Sequence, residues 1–200
     1  VLEGKVEQLI LVNCCDSMRR VYDIVESTGK CKFLYMLDMP HEDNDCEKVK
    51  LAQGIHRLKK AYEKFSGKTF DRSGFLNAFS HEPVDNQPYI GVLGVRVSGI
   101  LEKMIRDNIR MDVENLTCTG GRRLAVIREE LEKMEDDAMF LAYADALLSQ
   151  MPCFRMNNST RRNRLYLDPN LKGIIYHTIK FCDYYGLSMQ ASSVISRFRF

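Results

Sequence analysis

Two Cys-Asp pairs, Cys15-Asp16 and Cys182-Asp183, occupy equivalent places in two similar segments of the chain. In both segments an apolar run rich in β-branched residues leads into the pair. A helical pattern follows, clear after the first pair and weaker after the second. A thiol between a strand and a helix meets unpaired N–H groups and the positive end of the helix dipole, which lowers a thiol's pKa. Such a thiol suits a nucleophile or a metal ligand, and the two could converge on one site if the two units face each other.

The chain has seven cysteines at irregular spacing, without a C-x-x-C pair. A single cysteine is more often a small buried residue than a ligand, but the matching contexts of Cys15 and Cys182 favour the ligand interpretation for this pair. Thiolates select zinc, copper or iron–sulfur clusters, and zinc sites usually show short C-x-x-C knuckles. Widely spaced single cysteines from separate domains instead fit a cluster held in a cleft between those domains.

The composition of the 200 residues is that of an ordinary globular chain, with 45% apolar residues and a net charge of +2. This charge balance does not indicate nucleic acid or an anionic membrane as a partner. No apolar run reaches the length of a spanning helix, and no signal peptide opens the chain. The cysteine usage favours a reduced, cytoplasmic protein. Because the chain starts at Val1 without an initiator Met, we expect a piece of a larger protein.

The first part of the chain predicts a strand–helix–strand unit. The apolar run at 6–13 is typical of a buried parallel strand, a helix closed by glycine is predicted at 17–27, and a second strand at 32–39. This order indicates a right-handed crossover. Two more helices are predicted beyond it, at 42–66 and 72–79.

A polar segment with two prolines, 81–88, indicates a linker, and we place a domain boundary there. Beyond it the pattern predicts a strand at 89–94 and a helix at 98–108. In this helix, Ser98 is a candidate cap, and Ile100, Leu101, Met104 and Ile105 share one face. The remaining predicted elements are a short strand at 110–113, helices at 124–134 and 136–150, and the strand that leads into Cys182. The sequence therefore predicts an α/β protein of two Rossmann-like, doubly wound units with mostly parallel sheets, joined by helices. The first unit covers 1–86, truncated at its N-terminus and with a helical extension, and the second covers 87–200, truncated at its C-terminus.

Other polar motifs have simple structural explanations. The run Gly91–Arg96 lacks the third glycine of a phosphate-binding fingerprint, so a tight turn between strand and helix is favoured. The loop 119–123, with two glycines and two arginines, suits an anionic ligand and a solvated turn equally well. His177 lies in an apolar strand, where a satisfied core histidine is more common than a ligand. The sequence contains no nucleophile elbow, P-loop lysine motif or HExxH pattern.

Four segments follow one another in a fixed order along the chain. Each segment alone is a weak indicator of a protein family, but the ordered set is fairly specific. They are Cys14–Arg20, Glu114–Arg122, Met151–Met156 and Phe181–Tyr185. Together they resemble the 2-hydroxyacyl-CoA dehydratase family, which also includes the benzoyl-CoA reductase subunits. The resemblance extends over nearly all of the chain, with one inserted residue in the second segment.

The resemblance implies a 4Fe-4S cluster bound by three cysteines per subunit, between Rossmann-like domains. By position, Cys15 and Cys182 are two of these cofactor-binding and metal-binding residues, and the third ligand of the family lies before the start of this chain. Cys118 and Cys153 fall in loops of the family that do not bind the cluster. Asp16 and Asp183, beside the ligands, could accept hydrogen bonds there or cap the following helix. No catalytic residue is assigned.

The resemblance also implies an activity. The dehydratases of this family are cytoplasmic lyases of anaerobic metabolism that remove water from (R)-2-hydroxyacyl-CoA to give enoyl-CoA. A sister subunit and an ATP-dependent iron–sulfur activator take part, and the activator supplies one electron that generates a ketyl radical on the acyl-CoA substrate. Three alternatives stay open: a related low-potential reductase of the benzoyl-CoA reductase or double-cubane type, a non-catalytic cluster-bearing partner subunit, and an α/β domain without metal.

Overall fold

The computed structural model describes residues 5–78, 87–117, 128–149 and 165–179. In chain order, the described elements are β1 (Gln8–Val12), α1 (Asp16–Ser27), β2 (Phe33–Leu37), α2 (Asp45–Ser66), α3 (Arg72–Asn77), β3 (Tyr89–Gly94), α4 (Gly99–Asn108), β4 (Asp112–Asn115), α5 (Arg128–Glu132), α6 (Asp136–Ser149) and β5 (Leu171–His177). Strands and helices alternate along most of the chain, and every strand pairing between described residues is parallel. The predicted α/β class is therefore confirmed.

The chain forms two compact units that interleave along the sequence. One comprises Val1–Ser80 with Leu124–Ser149, and the other comprises His81–Arg123 with Gln150–Phe200. The division at residue 86 that the sequence suggests stays a prediction about domains. Each unit contains its own parallel sheet.

The first unit begins with the predicted strand–helix–strand segment. Strands β1 and β2 pair in parallel, with Gln8 opposite Phe33 and Val12 opposite Leu37. Helix α1 connects them and ends just before Gly29, whose φ of 60° places it in the left-handed region that glycine adopts without strain. The predicted pair of strands, the helix and its glycine stop are all confirmed.

Helix α2 supports this sheet and also packs against α6. The side chain of Asn44 caps it by accepting a hydrogen bond from the N–H of Glu47 at 3.0 Å. Near its end α2 contacts β2, since the ring centroid of Phe33 lies 5.2 Å from that of Tyr62. On the side of α6, Phe140 is 2% exposed, and its ring packs against several aromatic rings of the unit. The hydrophobic core of this unit thus joins the sheet to helices that follow much later in the chain.

Arg72 anchors these later helices to α3. Its guanidinium forms an ion pair with Asp136 at 2.6 Å, and it donates to the backbone carbonyl oxygens of Leu131, Glu132 and Met134. The last carbonyls of a helix lack intrahelical donors. The side chain of Arg72 therefore donates hydrogen bonds to carbonyl oxygens at the end of α5 and also pairs with the first residue of α6. The sequence pattern does not predict this contact.

The second unit contains a three-stranded parallel sheet of order β4-β3-β5. One face carries Tyr89 and Leu93, which pack with Leu165 and Leu171 in a buried cluster. The opposite face carries a second cluster of buried residues and the half-buried side chains packed against them: Val92, Val97, Val113, Leu101, Ile105, Ile109 and Ile175. Both faces of the sheet are covered, as parallel sheets require.

Two sequence predictions for this unit need correction. The four apolar residues of α4 do not share a buried face: Leu101 and Ile105 pack on the sheet, whereas Ile100 and Met104 are 78% and 57% exposed. Strand β4 covers Asp112–Asn115 rather than 110–113. The predicted cap is confirmed, since the Oγ of Ser98 accepts a hydrogen bond from the N–H of Leu101 at 3.2 Å.

The carboxyl ends of β3 and β5 approach each other too closely for a side chain at Gly94. Gly94 has a φ of 111°, and a Cβ built there would overlap the backbone carbonyl oxygen of His177. That same oxygen accepts a hydrogen bond from the N–H of Val95 at 2.9 Å. Glycine is therefore required at this position both by its backbone conformation and by the packing of the two strands.

We expect Gly94→Ala to lower the free energy of unfolding by about 3 kcal/mol or more, because strain and overlap act together. The matched control is Gly99→Ala, where an added Cβ meets nothing within 4 Å in the first turn of α4. This control should be neutral or stabilising by up to about 1 kcal/mol. Urea unfolding followed by circular dichroism compares the two. Equal midpoints would mean that the backbone at residue 94 relaxes away from His177.

A chain of hydrogen bonds ties α4 to the end of β4. Arg106 forms an ion pair with Glu102 at 2.9 Å, and the side-chain N–H of Asn115 donates to the other carboxylate oxygen of Glu102 at 2.8 Å. The amide oxygen of Asn115 accepts hydrogen bonds from the backbone N–H and the hydroxyl of Thr117, at 3.1 and 2.6 Å. Hydrogen bonds from Arg106 and, secondarily, from Asn115 lower the pKa of Glu102 below its ordinary value.

Because the pKa of Glu102 is lower in the folded protein than in the unfolded chain, its contribution is complete above about pH 4.3 and is lost as the pH falls through the folded-state value. We expect Glu102→Gln to cost about 1 kcal/mol at neutral pH, and this difference from the wild type to vanish in acid. The control Asp107→Asn removes an exposed carboxylate that pairs with Lys103 on the same helix, and should cost less than about 0.5 kcal/mol. Urea midpoints measured between pH 7 and 3 test this, and a pH-independent difference would contradict it.

Candidate functional site

Cys15 lies at the junction that the sequence predicts, between β1 and α1. It is the N-cap residue of α1, with extended backbone (φ −162°, ψ 163°), and its carbonyl oxygen accepts hydrogen bonds from the N–H groups of Met18 and Arg19 at 3.0 and 3.2 Å. The thiol is half-buried, is not in a disulfide and makes no capping hydrogen bond. The sulfur of Cys15 is therefore available as a donor at the positive end of a helix.

Neighbouring residues complete the local surroundings of this thiol. Cys14 is exposed and not in a disulfide. Asp16 is the first residue of α1 and not its cap, and its side chain is 76% exposed, with Oδ1 4.0 Å from Nη1 of Arg19. Of the two roles considered for Asp16, side-chain capping is excluded by this position, and a favourable interaction with the helix dipole is what it contributes.

A polar network that the motif analysis missed surrounds the start of this turn. The backbone N–H of Asn13 donates to the carbonyl oxygen of Leu37 at 2.8 Å, which extends the pairing of β1 and β2 by one step. The side-chain N–H of Asn13 donates to Asp38 at 2.9 Å, and its amide oxygen accepts from Nε of Arg19. A signal was present in the sequence, since Asn13 and Asp38 are polar residues that directly follow two neighbouring parallel strands.

In the second unit, His177 ends β5 and is half-buried. Its Nδ1 lies 3.3 Å from the carbonyl oxygen of Val95, so this nitrogen carries a proton and donates it. Gly91 and Gly94 belong to strand β3, and Gly94 serves the close approach to His177. Both glycines thus lie in the strand predicted at 89–94, and residues 95–98 connect that strand to α4. The interpretation of His177 as a hydrogen-bonded histidine is confirmed at Nδ1.

The segment Glu114–Arg122 is described only as far as Thr117. Within it Thr117 is fully buried, and the hydrogen bonds of Asn115 tie it to Thr117 and Glu102. These two side chains hold the exit of β4 in place. The described part of this segment thus has a structural role.

Several residues that the sequence motifs single out lie outside the described residues. They are Cys182 and Asp183, Cys118, the loop 119–123, and Cys153. The convergence of Cys15 and Cys182 therefore stays a prediction. Among the described ranges, no group of three or more His, Cys, Asp or Glu side chains is placed to hold a metal ion. Cys15 by itself fits a thiolate ligand, because its sulfur is not capping the helix and is half-exposed.

No helix in the described part of the chain is long and apolar enough to cross a membrane. The comparison with curated proteins gave no match. The family model described as 2-hydroxyglutaryl-CoA dehydratase, D-component, matches residues 85–192. This range covers more than half of the chain and contains three of the four sequence segments, including Cys182, whereas Cys15 lies outside it. On the strength of this match, the chain belongs to the 2-hydroxyglutaryl-CoA dehydratase D-component family.

Proposed function

We propose that the chain is the iron–sulfur subunit, or part of it, of a 2-hydroxyacyl-CoA dehydratase. It would take part in the radical dehydration of (R)-2-hydroxyacyl-CoA to enoyl-CoA, after one-electron reduction by an ATP-dependent activator. The family match over 85–192 carries the proposal, because it supports a dehydratase-type subunit. The same family supports a partner component and an activator.

Cys15 and Cys182 are the proposed ligands of a 4Fe-4S cluster. For Cys15, the fit rests on its place as the N-cap residue of α1, half-exposed, with a thiol that is not in a disulfide and makes no capping hydrogen bond. When bound, the cluster would supply a one-electron carrier and an iron able to hold an oxygen ligand. The role of the polypeptide would be to hold the thiolates in place and to exclude water from the reacting groups.

A second candidate is a related low-potential reductase, of the benzoyl-CoA reductase or double-cubane type. The observation that favours it is Cys14, a second thiol exposed beside Cys15. An additional thiolate at this turn would suit a larger iron–sulfur assembly. Iron content separates the double-cubane form of this candidate from the dehydratase, because a double cubane holds about twice the iron of one 4Fe-4S cluster.

We expect about four iron and four sulfide per chain in protein prepared anaerobically together with any sequence that naturally precedes Val1. Cys15→Ala and Cys182→Ala should each remove most of this iron and the visible absorption that accompanies it, because each removes a ligand. They should also abolish dehydration of (R)-2-hydroxyacyl-CoA, assayed with the sister subunit and the activator.

Two other cysteines provide controls for this experiment. Cys46→Ala changes an exposed thiol in the first turn of α2, and Cys31→Ser changes a thiol that donates to the backbone carbonyl oxygens of Glu7 and Phe33 at 3.3 and 3.1 Å. Both controls should keep the full iron content. Wild-type protein that stays free of metal after anaerobic reconstitution would contradict the proposal, and so would ligand variants with a full cluster.

A further inference from the structure

We propose that Asn13 is a positioning residue for the iron–sulfur site: its amide, bound to Arg19 on one side and to Asp38 on the other, fixes the turn that presents Cys15. This inference rests on the proposed function, because it takes Cys15 as an iron ligand. It adds residues to the site that neither the motifs nor the family match assign.

The first step is the path of the backbone. Asn13 is still held to the sheet through its N–H bond to Leu37, and at the next residue the N–H of Cys14 bonds to the carbonyl oxygen of Val12 at 2.7 Å. One residue later, Cys15 occupies the N-cap position of α1. The chain therefore changes from strand to helix within three residues, and the thiol of Cys15 leaves the backbone at the end of this sharp turn.

The second step is the side-chain bridge across the turn. Asn13 precedes Cys14 and Cys15, and Arg19 follows them by one helical turn, yet the two side chains bond to each other. The bridge thus closes a ring around the segment that holds both thiols. The other side of the amide reaches Asp38 after β2, so the ring is also attached to the neighbouring strand.

The third step is the chemistry of the amide. Asn13 offers a carbonyl oxygen to the cationic guanidinium of Arg19 and an N–H to the carboxylate of Asp38. Hydrogen bonds to charged groups are the stronger kind, and this pairing satisfies both ends of the amide in a single orientation. An asparagine here acts as a fixed bridge between two opposite charges on different segments.

The fourth step connects the bridge to iron binding. Residues that orient a metal ligand without touching the metal typically affect metal affinity by about ten- to hundredfold. The charged ends of this network are exposed, so its contribution to global stability is small. The expected signature is therefore a large effect on cluster retention with little change in the thermal unfolding midpoint.

The test compares variants of the full chain loaded with its cluster. Asn13→Ala and Arg19→Ala should release iron to a chelator about ten- to hundredfold faster than wild type. Arg19→Gln should retain iron more nearly like wild type than like Arg19→Ala, because the glutamine N–H occupies the position of Nε along the side chain and keeps the hydrogen bond without its charge. Arg20→Ala, which removes the same charge from a residue paired with Asp23, should also match wild type.

A second readout does not depend on the cluster. In the metal-free protein, amide hydrogen exchange across residues 14–19 should be about tenfold faster in Asn13→Ala and Arg19→Ala and unchanged in Arg20→Ala, because the bridge restrains this turn. A thermal unfolding midpoint close to that of wild type would show that the variants are folded. Faster exchange together with faster iron release supports the inference.

The outcomes separate this inference from the proposed function. Wild-type protein that binds no iron would overturn the proposed function, and the role of Asn13 toward iron with it. If wild type retains its cluster and Asn13→Ala releases iron at the same rate, the positioning role is wrong while the proposed function survives. If Arg19→Gln loses iron as fast as Arg19→Ala, the charge of Arg19 matters rather than the bridge, and the inference is likewise overturned.

Discussion

The parallel pairing of β1 and β2 is the constraint on which the candidate site depends. Parallel strands point their carboxyl ends to the same edge of a sheet, and the register here places Val12 opposite Leu37. The residues that follow, Asn13 and Asp38, therefore emerge side by side, although a whole helix separates them in sequence. Ligands of open α/β sheets bind at this edge, and Cys15 lies there because the crossover helix α1 must start next to it.

In the second unit, the carboxyl ends of neighbouring strands are also held together, but by different contacts. At the carboxyl ends of β3 and β5, the absence of a side chain at Gly94 lets the backbone of His177 come close. Val95 then bonds to His177 twice, through its N–H to the carbonyl oxygen and through its own oxygen to the ring. Strand ends are held by backbone proximity in this unit and by a charged side-chain bridge in the other.

Local patterns were sufficient to predict most elements of the fold. The apolar runs of β1, β2 and β3 and the capping serine of α4 depend on neighbouring residues, and these predictions are confirmed. The apolar stripe of α4 misled because only part of it reaches the sheet, and the remainder, with Ile100, stays exposed. The sheet covers more or less of a helix face according to where the helix lies on it. Hydrophobic periodicity alone does not give that position.

The same distinction between local pattern and tertiary placement applies to the candidate site, of which only a part could be predicted from the sequence. The position of Cys15 follows from the order of strand and helix, so the sequence was enough to place it. The positions of Asn13 and Asp38 after neighbouring strands gave a signal, but the contacts of Asn13 with Arg19 and Asp38 depend on strand register and on side-chain conformation, which no spacing rule gives. The anchoring of helices by Arg72 is of the same kind. Predicting such contacts requires the fold first.

Asparagine suits the two contacts at position 13 better than aspartate or a hydroxyl residue would. Aspartate there would attract Arg19 but repel Asp38, and a hydroxyl side chain is too short to serve two partners on different segments. An amide alone offers a donor and an acceptor at the right separation while adding no charge of its own. Exposed polar contacts contribute little to the free energy of folding, so global stability does not require an asparagine at this position. Holding the thiol of Cys15 in a fixed place is the role that its two bonds explain.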